Sequence, residues 1–135
     1  MSNSRRADDE GSITLGLVVM VVAMLVSIGL VVDGGTKIRA VEQATRVAAE
    51  AARAGAQEVD VATVQTSGTT ALDPARARTA ARAVLDAAGV VGEVHATRTI
   101  VNVDAAVTRH TVFLGMIGVN SVTGHGSAEA GLTIR

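Results

Sequence analysis

Residues 11–32 read GSITLGLVVMVVAMLVSIGLVV, and no charged residue lies between Glu10 and Asp33. At a helical rise of about 1.5 Å per residue this run spans about 33 Å, close to the roughly 30 Å hydrocarbon core of a bilayer. A secretory signal peptide has a shorter apolar region followed by a small-residue cleavage motif. Val31-Val32-Asp33-Gly34 offers no such motif. A buried core helix would be shorter and would keep a polar face. The run is therefore read as a membrane helix, and the rest of the chain is arranged around it.

Composition supports that arrangement. Aromatic residues make up 1% of the 135 residues, with Phe113 alone and no Trp or Tyr. The 48% hydrophobic content is mostly Ala and Val, which bury little area each. A small domain built this way is marginal by itself and expects support from a membrane, a partner or self-assembly. The net charge of −1 and the near-absence of aromatics give no basis for binding nucleic acid. There is no cysteine, which excludes a disulfide framework and thiolate metal sites.

Beyond the run, Asp33-Gly34-Gly35 reads as a break or a flexible joint in a longer helix. Residues 36–57, TKIRAVEQATRVAAEAARAGAQ, are rich in Ala, the best helix former. Ile38, Val41, Thr45, Ala48 and Ala52 recur at spacings of three and four and draw a narrow stripe of packing candidates. That stripe can face either this chain's own sheet or a neighbouring subunit. If the joint stays helical, residues 12–57 form one rod of roughly 69 Å. Within the apolar run, Gly16, Ser27 and Gly29 are small enough to let another helix approach closely.

Residues 58–72 read as a polar connector. Asp73-Pro74 then gives an N-cap and a first-turn proline, and Gly89 ends the helix they begin. Its apolar face is Ala77, Ala81, Val84, Leu85 and Ala88. Arg76, Arg78 and Arg82 lie away from it, as a solvated face or, less economically, a surface for an anionic partner. From Gly92 the period changes to two, through Val94, Ala96, Val101, Val103, Ala105 and Val107. Residues 121–134 alternate again, with Val122, Gly124, Gly126, Ala128, Ala130 and Leu132 on one face. Between them, residues 111–118 (TVFLGMIG) are apolar but too short to span a bilayer, and are read as core or a short turn of helix.

The expected fold class is α+β: a long N-terminal transmembrane, pilin-like helix, a second short helix, and a small antiparallel sheet of about three strands covered on one side by helix. The expected divisions are a tail at 1–11, the transmembrane helix at 12–32, its extension at 33–57, the connector at 58–72 and a small α+β domain at 73–135. His95, His110 and His125 are isolated on polar strand faces with no ligand spacing between them. No nucleophile, phosphate-binding or dinucleotide motif occurs, so catalysis, cofactor and metal are not expected.

The order of parts resembles a known family. A short charged tail, Gly11 before an uncharged run, Val32-Asp33-Gly34-Gly35, the segment AAEAARAGA over residues 48–56, TVFLG over 111–115 and SAEA over 127–130 are similar to TadE/TadG-like proteins of actinobacterial tight-adherence (Flp, type IVc) pilus systems. The resemblance implies a minor pilin or pseudopilin, or a pilus-assembly component, that is structural rather than catalytic. It implies a cytoplasmic N-terminus and an extracellular C-terminal domain, an orientation that Arg5 and Arg6 against Lys37, Arg39 and Arg46 leave undecided. It implies a single-pass protein of the cell membrane that can enter a pilus, with pilin-like or platform proteins as partners. It also implies a prepilin peptidase cutting between Gly11 and Ser12. Type IV pilins usually carry a glutamate five residues after the cut, where this chain has Gly16. The alternative reading is a membrane-anchored extracytoplasmic binding or sensor module unrelated to pili.

Overall fold

A computed structural model describes the backbone of residues 4–132 and the side chains of residues 13–132. Helix α1 (Ser4–Ala56) is followed by α2 (Val61–Ser67) and α3 (Pro74–Ala88). Strands β1 (Val91–Ala96) and β2 (Ile100–His110), a 3-10 turn at Leu114–Ile117 and β3 (Ser121–Gly131) complete the described residues. The class is α+β, as the alternating and helical patterns of the sequence required.

The 53 residues of α1 correspond to a rod of about 80 Å. It runs unbroken through Gly34 and Gly35, where an added Cβ would meet nothing within 4 Å. These glycines therefore serve no close approach, and helical hydrogen bonding carries the chain past them. The two halves of the rod differ in what surrounds them. From Ile13 to Val32 the apolar side chains are exposed, whereas Ala40, Ala44, Ala48, Ala51 and Ala52 are buried.

The sheet is antiparallel in the order β1-β2-β3. Val103 pairs with Val94 on one side and with Ala128 on the other, so β2 is the central strand. Its inward residues Val101, Val103, Ala105 and Val107 face α1 and α3, and Ala77, Ala81 and Leu85 of α3 close the core. Ala88 of α3 stays exposed. The second half of α1 lies against β3 because β3 offers glycine there. A Cβ at Gly126 would stand 2.6 Å from the carbonyl carbon of Ala44, and one at Gly124 would stand 2.5 Å from that of Ala40. Both separations are shorter than any real carbon contact, so the helix sits where only hydrogen fits between it and the strand.

The polar connector holds structure of its own. Asp60 caps α2 by accepting the N–H groups of Ala62 and Thr63, and Gly68 ends it in the left-handed region at φ 66°. The connector closes on itself where the Asp60 N–H donates to Ala71 O (2.8 Å) and the Asp73 N–H to Glu58 O (2.9 Å). Asp73 caps α3 as its sequence predicted, with Pro74 at the first helical position.

Candidate functional site

The exposed half of α1 and the β2–β3 connection meet at one end of the domain. Leu15, Val19, Leu25, Leu30 and Val31 are each more than half exposed. A helix that is apolar all round has no water-facing side and requires an apolar solvent. The length and composition of this helix suffice to cross a membrane.

The β2–β3 connection (residues 111–120) is TVFLGMIGVN, without a charged residue. It leaves the sheet at the His110↔Ser121 pair and runs back along α1 towards the N-terminus. Asp33, just beyond the uncharged run, holds it there. Its Oδ1 accepts the Val112 N–H (2.9 Å), and its Oδ2 accepts those of Phe113 (3.0 Å) and Leu114 (2.6 Å). The carboxylate thus caps the 3-10 turn from another element, although Phe113, at the N-cap position, makes no side-chain cap itself. Asp33 is 1% exposed. The Val112 N–H above all, with those of Leu114 and Phe113, holds its carboxyl below the ordinary 3.8, against the opposing effect of burial.

One turn before Asp33, the Phe113 side chain covers Gly29, where an added Cβ would stand 2.9 Å from Phe113 Cβ and Cγ. Alongside this contact runs a groove of about 360 Å³, walled by Leu25, Val26 and Leu30 of α1 and by Leu114, Met116 and Ile117 of the loop. Met116 (77%) and Ile117 (76%) are among the most exposed apolar side chains of the molecule.

The residues singled out in the sequence fall in different places. The side chains of Gly11 and Ser12 lie outside the described residues. Gly16 is open, with nothing within 4 Å of an added Cβ. Ser27 is exposed and its hydroxyl donates to Ala23 O (2.7 Å). Gly29 is covered by this chain's own Phe113. Of the stripe on α1, Ala48 and Ala52 enter the core, while Ile38 is 61% and Val41 37% exposed. The buried face runs instead through Ala40, Ala44, Val47, Ala48 and Ala51.

His95, His110 and His125 are exposed, and among the described residues no group of three potential ligands is placed to hold a metal. Arg76 and Arg82 are exposed, and the Arg78 guanidinium donates to Ala96 O (3.4 Å). The role of Asp33 was not legible beforehand. The only signal for it was its position as the first charge after the run.

Residues 11–58 match the model of the Flp pilus-assembly TadE/G-like family. The matched span takes in the apolar run and the rest of α1 to its end. No curated protein matches, and no solved structure does. The long apolar helix and the matched family together fit a membrane location.

Proposed function

We propose that this chain, whose residues 11–58 match the TadE/G-like Flp pilus-assembly family, is a minor-pilin-like structural component of a Flp (type IVc) pilus apparatus. In this reading α1 crosses the cell membrane once, its N-terminus is cytoplasmic, and residues 73–135 form the extracellular domain. The observation that carries it is the division of α1. Within one continuous helix, residues 13–32 carry exposed apolar side chains around most of the helix, and the residues after them are fused to a small sheet domain. A bare apolar helix can exchange lipid neighbours for other apolar helices at little cost, because lipid tails and aliphatic side chains are equally apolar. A rigid continuation into the domain makes the two halves move as one body during that exchange.

The role is structural: the chain offers other membrane and pilus components a helix to pack on. Its partners are pilin-like and platform proteins, and prepilin peptidase acts at Gly11-Ser12. Deleting the gene in the organism that encodes it, and scoring pili by electron microscopy with and without complementation, tests the role. Loss of pili, restored by the full chain, is the expected result; normal piliation overturns it. Mass spectrometry of the chain's N-terminus tests processing separately. A start at Ser12 supports the cut, and a start before Gly11 assigns the chain to the membrane apparatus rather than to the filament.

A further inference from the structure

The 111–120 loop has two properties that suit the surface of a membrane. Its apolar side chains are exposed: Val112 is 65%, Met116 77%, Ile117 76% and Val119 45% exposed. Seven of its ten backbone N–H groups are nevertheless paired within the protein. The N–H groups of Val112, Phe113 and Leu114 go to Asp33. Those of Thr111, Met116, Gly118 and Val119 go to Asn120 O, Phe113 O, Gly115 O and Leu114 O at 3.0–3.2 Å. The Thr111 hydroxyl donates to Val119 O. A water-exposed loop has no need of such pairing, because water supplies partners. In hydrocarbon each unpaired backbone group costs several kcal/mol, and non-helical backbone is excluded unless it is paired.

Position supplies the second argument. Phe113 rests on Gly29, and the groove wall reaches Leu25. Leu25 lies seven residues before Val32, which is about 10 Å along the helix. The loop therefore reaches past the end of the uncharged run to the depth of its last two turns. Met116 and Ile117 share their surroundings with Leu25 and Leu30. In the anchored state those surroundings are acyl chains.

We propose that residues 112–119 are a second membrane contact, a loop seated in the outer leaflet beside α1, with lipid acyl chains filling the groove between loop and helix. It rests on the anchored-helix reading. The loop fixes how deep α1 sits and how it is rotated, because Asp33 fastens the loop to the helix where the run ends. Amphipathic helices lying in the interface enter the boundary by roughly 5–10 Å, a depth comparable with the loop's reach along α1.

The chain has no cysteine, so single cysteines carry a fluorophore without background. The full chain, labelled at Met116→Cys or Ile117→Cys, is reconstituted in phosphatidylethanolamine–phosphatidylglycerol vesicles. The vesicles contain lipids brominated either just below the headgroup or near the bilayer centre. Both sites are more than three-quarters exposed, so the label displaces no packing. Val21→Cys reports the run, and Thr123→Cys reports the open face of β3. The expected result is blue-shifted emission at 116 and 117, quenched most by the shallow bromines, with Val21 quenched by the deep ones and Thr123 by neither. Quenching at Val21 without quenching at 116 or 117 overturns the loop's seat and leaves the anchored helix standing. No quenching at Val21 overturns the anchored helix itself. Shielding at 116 and 117 that disappears on dilution to one chain per vesicle assigns the groove to a second copy and overturns the lipid seat.

Discussion

Asp33 Oδ2 accepts the backbone N–H of Leu114 at 2.6 Å across 81 residues of sequence. With the N–H groups of Val112 and Phe113 on the same carboxylate, α1 and the β2–β3 loop are joined by one side chain. Asp33→Ala removes both acceptor oxygens, and with them three hydrogen bonds, and leaves the turn's donors unpaired. Hydrogen exchange at Val112, Phe113 and Leu114 accelerates, while Val101 and Val103 in the central strand keep their protection. Asp33→Asn retains one acceptor oxygen and gives an intermediate rate. Unchanged exchange in Asp33→Ala would show that the carboxylate does not hold the loop.

The carboxyls of Asp33 and Asp60 titrate below 3.8. For Asp33 the main cause is the Val112 N–H; for Asp60 it is the Thr63 hydroxyl (2.6 Å), then the Thr63 N–H. A carboxylate whose folded value is depressed contributes stability that is fully present above its unfolded value, about 3.9, and disappears as pH falls through the folded value. The domain is therefore insensitive to these two groups from neutrality down to about pH 4 and loses their contribution below that. Amide chemical shifts of Val112 and Thr63 followed against pH report the midpoints. Midpoints at or above 3.8 contradict the assignment.

Gly126→Ala places a methyl group against the backbone of Ala44 and Thr45, neither of which can yield without moving α1. The expected cost is about 1–3 kcal/mol, the usual range for overpacking, and Gly124→Ala behaves likewise. Gly35→Ala, on the same helix with open space around it, gains up to about 1 kcal/mol from helix propensity. Thermal unfolding in detergent orders the three variants. Equal stability for Gly126→Ala and Gly35→Ala is the outcome this packing forbids.

In a core made mostly of Ala and Val, Leu72 and Leu85 are the largest aliphatic side chains, at 1% and 3% exposure. Leu85→Ala should cost about 2–5 kcal/mol, at the upper end if the alanine-rich surroundings cannot collapse into the space. Leu25→Ala, on the exposed half of α1, should leave the unfolding of the sheet domain unchanged. Denaturant melts followed by a probe on β2 distinguish the two.

Much of the architecture was legible because periodicity reports burial directly. The alternation from Val122 to Leu132 placed Gly124 and Gly126 on the inner face of β3, and Asp73-Pro74 with Gly89 marked both ends of α3. Legibility failed where side chains are too alike to mark a face. Along residues 40–56 of α1, alanines lie around most of the helix, so the aliphatic positions Ile38 and Val41 suggested a stripe. The buried face is chosen instead by the bare backbone of Gly124 and Gly126, which admits Ala40 and Ala44. The connector was equally opaque, since α2 depends on the Asp60 cap and on hydrogen bonds between the connector's two ends.

The sequence by itself determined the long uncharged helix, the α+β class and the small-residue contact between helix and sheet, because each depends on local pattern: run length, period and residue size. Only the tertiary structure decided that Asp33 meets Val112–Leu114 and that Phe113 lies on Gly29. Those contacts depend on where β2 ends relative to α1, and that is set by the register of three strands and the seating of the helix upon them. The physical reason is distance along the chain. A carboxylate seeks donors of any origin, and nothing within its own stretch of helix says which loop will bring them.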